Sequence, residues 1–200
     1  MMISKPIKGT LVFFCGKMGA GKSTLSRQIA KERRAVLLSE DEWLASVYGP
    51  DRITSLTDYI EHSNRLKPPM KKLVQSILDA GTDVVMDYPA NTIAQRKWFQ
   101  GIFSEVSAAH DLMYLDVEDS LCLKRIAKRR REEPERAKTD TPEMFAQVTK
   151  YFEPPTEDEG FTITWFTIET ESSQEKAKTI FLSASRFLAL RCCIPILQKI

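Results

Sequence analysis

The sequence predicts an α/β fold with a five-stranded, mainly parallel sheet covered by helices on both faces. Short β-rich runs alternate with longer helical patterns along most of the chain. The first such run passes through a glycine-rich turn directly into a helical pattern. The 200 residues, 42% of them hydrophobic, suit a single domain with a substantial core. We therefore expect one domain over residues 1–200.

Five runs have the composition of buried strands, and helical patterns separate them. The predicted strands are residues 10–15, 35–39, 83–87, 112–117 and 161–166. The predicted helices are residues 42–47, 59–80, 92–106, 120–131 and 142–152. Pro68 and Pro69 are expected to break or restart the second helix, because proline removes a backbone donor and clashes with the preceding turn. Ligands of such sheets bind beyond the carboxyl ends of the strands, where we look for chemistry.

The glycine-rich turn, "GKMGAGKS", fits the pattern G-x-x-x-x-G-K-[ST]. Backbone N–H groups of such a loop surround triphosphate oxygens, its lysine neutralises the β- and γ-phosphates, and its hydroxyl completes Mg²⁺ coordination. Leu25 and Ile29 recur at helical spacing after it, which places the phosphates at a helix N-terminus. The predicted ATP-binding residues are Gly16, Lys17, Met18, Gly19, Ala20, Gly21, Lys22, Ser23 and Thr24.

Two other kinds of turn are compatible with several glycines between a strand and a helix. An ordinary glycine-rich turn between strand and helix needs no ligand. A dinucleotide fingerprint is disfavoured, because the glycines do not fall at G-x-G-x-x-G. The phosphate loop after a buried strand predicts the three-layer α/β/α sandwich of P-loop NTPases, with ATP and Mg²⁺ as cofactors.

The second strand ends in "LLSEDEW", which supplies carboxylates near the phosphate loop. We interpret Asp41 as the base that accepts a proton from an acceptor hydroxyl during phosphoryl transfer, because Glu40 alternates to the other side of the chain. The alternative is that Ser39 or Asp41 caps the next helix, with Glu42 favouring its positive end. The two roles are compatible.

The third strand ends at Asp87 in "DVVMDYPANT". A strand-terminal aspartate near a phosphate loop is typical of the acidic group that reaches Mg²⁺, so Ser23 and Asp87 are the predicted metal residues. The alternative is a turn formed with the following Tyr-Pro pair. Thr92 begins a helix carrying Arg96, which either points back toward a bound anion or is solvated.

The segment "LKRIAKRRREEPERAK" is strongly basic and follows the fourth strand. It is open to three interpretations: a solvated helix face, a nucleic-acid patch, or a mobile lid over the transferring phosphate. Its position favours a lid over about residues 124–142, with Arg125 and Arg129 on one helical face as catalytic phosphate contacts. The missing aromatic residues count against a nucleic-acid groove.

Charge and cysteine usage indicate the setting of the protein. The net charge of +2 is too small to predict a nucleic-acid or membrane partner from bulk electrostatics. The four cysteines lack paired C-x-x-C spacing, which favours reduced thiols in a cytoplasmic protein. The first residues do not resemble a signal peptide, and the sequence has no run of membrane-spanning length.

The blocks "GKMGAGKSTLSRQIA", "LLSEDEWLASVYG", "VVMDYPANTIAQRKWF", "YLDVEDSLCLKRIAKRR" and "TPEMFAQVTKYFEPPTEDEGF" together resemble bacterial AAA-type ATP-binding proteins of the P-loop kinase superfamily. Relatives of that group include gluconate kinase, chloramphenicol phosphotransferase, zeta toxin and polynucleotide 5′-kinase. The resemblance covers about residues 10–166. It implies a nucleoside-monophosphate-kinase-like core with Asp41 as the acceptor-activating aspartate, Asp87 near the metal, and Arg125 and Arg129 in a helical lid.

The sequence therefore predicts an ATP- and Mg²⁺-dependent phosphotransferase whose partners are ATP and a small polar acceptor. A polynucleotide 5′-hydroxyl kinase and a regulatory ATP-binding switch with slow hydrolysis remain the alternatives. Tyr59, His62 and Arg65 are the residues most able to recognise the acceptor, and the helices around them would shape its pocket. Residues 171–200 form either a terminal helix or a loosely packed tail.

Overall fold

The computed structural model describes residues 7–49, 52–134 and 139–168, and these form an alternating series of strands and helices. The elements are β1 (Thr10–Cys15), α1 (Lys22–Arg33), β2 (Val36–Ser39), α2 (Glu40–Tyr48), α3 (Leu56–Asp79), β3 (Val84–Pro89), α4 (Ile93–Glu105), β4 (Ala109–Val117), α5 (Asp119–Glu132), α6 (Pro142–Thr149) and β5 (Ile163–Ile168). A short 3₁₀ turn covers Glu157–Glu159.

The five strands form one sheet in the order β2-β3-β1-β4-β5. Each neighbouring pair among them is parallel. The first strand is therefore central, and its side chains alternate between two hydrophobic layers. Leu11 and Phe13 belong to the layer that contains α3 and α4, whereas Val12 and Phe14 belong to the layer that contains α1 and α5. This arrangement confirms the predicted three-layer α/β/α sandwich.

Helix α3 corrects the expectation that Pro68 and Pro69 break the chain. The helix runs without interruption through both prolines. The carbonyls that lose their usual donors belong to Asn64 and Arg65, which are exposed and can bind water instead. On the opposite face, core-facing residues hold the two halves of the helix against the sheet: Leu66, Met70, Val74 and Leu78. Packing of one buried face therefore overrides the local cost of the prolines.

The other differences from the predicted boundaries are small. Strand β3 continues two residues beyond Asp87, to Pro89, and β4 begins three residues earlier than predicted, at Ala109. The predicted terminal helix or tail of residues 171–200 lies outside the described residues, as do Cys192 and Cys193. Cys15 and Cys122 are buried free thiols. Among the described residues, no helix is both long and apolar enough to cross a membrane.

Arg96 is neither an anion ligand nor a solvated residue, so both expectations for it are wrong. Its side chain is completely buried beneath the loop that precedes β5. Its Nε and Nη2 atoms donate to the Glu159 carboxylate at 2.7 and 2.8 Å, and its Nη1 atom donates to the carbonyls of Ala90 and Glu153. The arginine thereby ties α4 to the segment after α6.

We expect Arg96→Ala to lower the free energy of unfolding by about 3–5 kcal/mol, because Glu159 would lose the partner of a largely buried ion pair. Arg96→Lys should recover little of this loss, since lysine cannot form the two-pronged contact. Denaturant unfolding measures both variants. Lys97→Ala, at the exposed neighbouring position, is the control and should change stability by less than about 0.5 kcal/mol. An equally small effect at Arg96 would contradict a stabilising role.

Candidate active site

The glycine-rich loop between β1 and α1 has a backbone that requires its glycines. Gly16, Gly19 and Gly21 have φ angles of 155°, 77° and 102°. A Cβ atom at Gly19 would lie 2.7 Å from the Cys122 carbonyl oxygen, so the loop packs directly on the backbone of α5. The Gly16 amide donates to Asn91 Oδ1 at 3.0 Å. The loop is thus held in shape by Asn91, just after β3, on one side and by α5 on the other.

Lys22 lies inside the curve of this loop. Its ammonium group donates to the carbonyl oxygens of Gly16 and of Lys17, the latter at 3.0 Å. Burial lowers the pKa of Lys22 below its ordinary value. The amine is therefore held by carbonyls that can be exchanged for the stronger acceptors of a phosphate chain.

The N-terminus of α1 is arranged for an anion. Its N-cap is Gly21, which has no side chain, and its first turn contains no acidic residue. By contrast, Ser or Thr side chains cap α2, α3, α4 and α6. Together with Lys22, the amide groups at the start of α1 favour negatively charged phosphate oxygens.

The strand order brings Asp87 between the loop and the end of β2. Strand β3 lies between β1 and β2, and Ser39 is in register with Asp87. The Ser23 side chain lies beside the Asp87 carboxylate. Burial raises the pKa of Asp87, while the nearby Ser23 hydroxyl and the Lys22 charge act in the opposite direction. Asp87 to Pro89 are strand residues, so the alternative of a turn at this point is wrong.

This pair of oxygen ligands suits magnesium. Mg²⁺ usually binds one or two protein carboxylates or hydroxyls and completes its shell with phosphates and water. Ser23 and Asp87 would supply that protein share, next to a loop that would hold the phosphates. Among the described residues, no group of three or more His, Cys, Asp or Glu side chains is arranged to hold a metal ion.

Asp41 lies in the first turn of α2 and is exposed. The cap of this helix is Ser39, whose hydroxyl accepts from the Glu42 amide at 3.5 Å, so capping does not depend on Asp41. Burial is the main cause of the raised Asp87 pKa. The negative charge of Asp41 raises this pKa further, by a smaller amount. Asp41 therefore lies near Asp87.

Glu40 faces the other way from Asp41, as the sequence indicated, and its side chain is buried. It is 1% exposed and accepts from the hydroxyls of Tyr59 and Ser63 on α3, the latter at 2.5 Å. Burial raises the pKa of Glu40, and these two hydrogen bonds oppose that change. The carboxylate lines a cavity of about 70 Å³ between α3 and the end of β3.

The three residues predicted to recognise an acceptor have different environments. Tyr59 lines this cavity. His62 stacks on Tyr48 with ring centroids 4.1 Å apart, and its buried Nδ1 atom has no hydrogen-bond partner among the described residues. Arg65 is exposed and pairs with Glu61 on its own helix. Of the three, Tyr59 is the residue that lines the cavity.

Helix α5 directs the two predicted lid arginines toward the loop and toward the segment before α6. Arg125 Nη1 donates to the Ala20 carbonyl at 3.1 Å. Arg129 forms a two-pronged contact with Asp140, which is 1% exposed. Burial is the main cause of the lowered Lys22 pKa. The positive charge of Arg129 lowers this pKa further, by a smaller amount. Both arginines thus lie beside the phosphate loop.

Sequence reasoning missed several residues that support this site. Asn91 directly precedes the N-cap of α4, and its side chain accepts a hydrogen bond from the Gly16 amide. Asp140, the partner of Arg129, has no motif around it. Lys17 forms an ion pair with Asp119 on α5 and lies 6.0 Å from the centre of the Phe152 ring. No local pattern predicts these contacts, because they join distant parts of the chain.

A protein-family model described as an AAA domain matches residues 11–155. The chain belongs to this family. Membership of the family confirms the predicted class of protein, an AAA-type ATP-binding protein. The matched range begins in β1 and ends just after α6, so it includes the phosphate loop, Asp41, Asp87 and the two arginines of α5. No curated protein sequence matches the chain.

Solved structures share the fold of this AAA domain protein at low sequence identity. A Mycobacterium tuberculosis APS kinase, solved with AMPPNP and APS, is 18% identical with a TM-score of 0.57, and the match covers 90% of this chain and 99% of the other. A candidate kinase from Chloroflexus aurantiacus is 18% identical with a TM-score of 0.64, covering 90% and 97%. A sugar kinase from Janibacter is 15% identical with a TM-score of 0.58, covering 89% and 94%.

Proposed function

We propose that this protein transfers the γ-phosphate of ATP to a hydroxyl group of a small polar molecule. The observation that carries the proposal is the convergence of Lys22, Ser23, Asp87 and Asp41 at the carboxyl edge of three neighbouring strands. Phosphate-binding, metal-binding and proton-accepting groups are then adjacent, as phosphoryl transfer requires. A cavity beside Glu40 offers space for the acceptor.

Each residue has a distinct part in this reaction. The loop amides and Lys22 would bind the β- and γ-phosphates, and Ser23 and Asp87 would hold Mg²⁺, which neutralises phosphate charge when bound. Asp41 would take the proton from the acceptor hydroxyl. The hydroxyl oxygen forms a bond to the γ-phosphorus while the bond from that phosphorus to the β,γ-bridging oxygen breaks, and ADP leaves.

The test is ADP release by the purified protein with ATP and Mg²⁺, with and without pooled hydroxyl-bearing metabolites and hydroxyl-ended oligonucleotides. We expect ADP formation to depend on an acceptor and to collapse in chelator. Slow hydrolysis that no acceptor stimulates would instead support a regulatory switch. Transfer to the oligonucleotides alone would support a polynucleotide kinase and overturn the small-molecule assignment.

We expect Arg125→Ala and Arg129→Ala to lower kcat about tenfold or more while changing ATP affinity little, if the guanidinium groups contact the phosphoryl group mainly in the transition state. Arg129→Lys keeps a positive charge near the buried Asp140. Comparing it with Arg129→Ala separates the effect of the lost charge on kcat from an effect of lost stability. Turnover and nucleotide titration measure the two quantities.

Arg130→Ala is the matched control for these arginines, because Arg130 lies on the exposed side of the same helix. It should leave kcat unchanged. Losses at Arg125 and Arg129 that are confined to the nucleotide dissociation constant would make them ground-state contacts rather than catalytic residues.

A further inference from the structure

The cavity between α3 and the end of β3 has the properties of a binding site. Glu40 lies on one side of it, Tyr59 and Ser63 come from α3, and Tyr88 and Trp98 come from β3 and α4. Its volume is about 70 Å³, and a single water needs about 10–15 Å³. The cavity can therefore hold a polar group of several heavy atoms.

Tyr88 is the observation that points to a ligand. Its side chain is only 2% exposed and lines the cavity, yet among the described residues its hydroxyl has no hydrogen-bond partner. Leaving a buried hydroxyl unpaired costs about 1–3 kcal/mol. Burial, and to a smaller extent the charge of Glu40, raise the pKa of Tyr88, so its phenol stays protonated at neutral pH and can both donate and accept.

Glu40 has hydrogen-bonding capacity left for a ligand. Each of its two oxygens already accepts one hydroxyl hydrogen, from Tyr59 and from Ser63. A carboxylate offers about four acceptor positions. About two positions therefore remain for hydrogen-bond donors, and the hydroxyl groups of a ligand are such donors.

The charges around the cavity do not favour an anion. Lys67 is the lining residue with a positive charge, and its ammonium group also donates to Asn64 Oδ1 at 2.8 Å. Its charge is offset by that of Glu40, the carboxylate that lines the cavity. No arginine belongs to the described residues that line the cavity. A phosphate or carboxylate placed beside Glu40 would meet a like charge without compensation.

The remaining lining groups match a ligand with hydroxyls on an apolar frame. Gln95 Oε1 already accepts from the amides of Asn91 and Thr92, so Gln95 can offer the cavity only its NH₂ donors. Trp98, Ile60 and Pro89 provide apolar walls. The site thus combines donors, acceptors and apolar surface, which is typical of small-molecule sites.

We propose that this cavity binds the phosphate acceptor and that the acceptor is an uncharged polyhydroxylated molecule, with one hydroxyl paired to Tyr88 Oη and another donating to Glu40. The inference rests on the proposed function for the identity of the bound molecule as the acceptor. Tyr88 and Glu40 are specificity-determining residues in this arrangement, and Asp41 remains the base.

The first test is Tyr88→Phe, which removes one oxygen atom. Because the hydroxyl has no hydrogen-bond partner to lose in the part of the chain that the structure describes, the melting temperature should stay the same or rise. The KM for the acceptor should increase about fivefold to tenfold, the value of one hydrogen bond, while ATP affinity is unchanged. Tyr151→Phe, at an exposed tyrosine, is the matched control and should alter none of these quantities.

The second test varies the charge of the ligand on a constant carbon frame. Ribitol, ribonate and ribitol phosphate form one set, and glucose, gluconate and glucose 6-phosphate form another. Each is offered at about 10 mM, above most KM values, with melting shift and ADP release as readouts. At least one neutral compound should shift the melting temperature and accept phosphate, and its shift should be smaller in Tyr88→Phe. Generic stabilisation by polyols would be equal in both proteins.

The outcomes separate this inference from the proposed function. A stronger response to the acids or phosphates, the absence of any response to the neutral compounds, or an unchanged acceptor KM in Tyr88→Phe would overturn the inference. If a neutral compound binds in a Tyr88-dependent manner but is never phosphorylated, the cavity binds a polyol and the proposed transfer is wrong. If transfer occurs only to charged compounds, the proposed function stands and the inference fails.

Discussion

Lys22→Ala should abolish nucleotide-dependent activity without loss of the fold. The amine is the positive charge inside the phosphate loop, and removing one preorganised stabilising group from an active site costs about a hundredfold to a thousandfold in kcat. We therefore expect acceptor-dependent ADP release to fall at least about a hundredfold. ATP affinity should weaken as well, because the same charge contacts the phosphates before the reaction.

The structure explains why stability should survive this change. The hydrogen bonds of Lys22 go to the carbonyls of Gly16 and Lys17, which belong to the loop. Burial disfavours its charged form, so its removal relieves a cost in the free protein. The melting temperature should therefore stay the same or rise, and far-UV circular dichroism should be unchanged.

Lys31→Ala is the matched control for Lys22→Ala. Lys31 lies in the last turn of the same helix and is exposed. It should leave turnover and ATP affinity as they are. An active Lys22→Ala protein with normal nucleotide affinity would show that the loop does not hold a triphosphate. An inactive but unfolded variant would be replaced by Lys22→Met, which keeps most of the side-chain volume without the charge.

The parts of the site that sequence could predict are those set by local backbone geometry. The phosphate loop is contiguous, and its spacing alone indicated Gly16 to Thr24. Asp87 could be predicted because it ends an apolar run, and parallel strands bring their carboxyl ends to one edge. In the structure Ser23 and Asp87 lie beside each other at this edge of the sheet.

The parts that could not be predicted depend on contacts between distant segments. Arg96 looked like a ligand or a solvated residue because its partner, Glu159, lies 63 positions further along the chain. Tyr88 looked like a turn residue because it precedes a proline. Strand β3 continues to Pro89, however, so Tyr88 becomes a strand residue packed in the layer of α3. A single sequence contains no signal for either arrangement.

Asp41→Asn separates a kinase from an ATP-binding switch. If Asp41 accepts the proton of the acceptor hydroxyl, the substitution keeps the size of the side chain and removes the base. Acceptor-dependent transfer should then fall about a hundredfold or more, which is the scale of general-base catalysis. ATP affinity should be nearly unchanged, because Asp41 follows β2, which β3 separates from the strand that leads into the phosphate loop.

The fold gives this variant a clear stability expectation. Ser39, not Asp41, caps α2, so the amide at position 41 disturbs no capping contact. The loss of one negative charge from the first turn should cost at most about 1 kcal/mol through the helix dipole. Glu42→Gln is the matched control, because it removes the same charge from the same exposed helical turn. Both variants should melt at nearly the same temperature.

Only Asp41→Asn should lose transfer, and the paired comparison with Glu42→Gln makes the result decisive. An equal loss in both variants would assign the effect to the electrostatic field of the helix terminus rather than to a base. Transfer within about threefold of the unmodified protein, the span of ordinary context effects, would remove Asp41 from the mechanism. The search for a base would then move to Asp87 or Glu40, and Glu40 already has two hydroxyl partners.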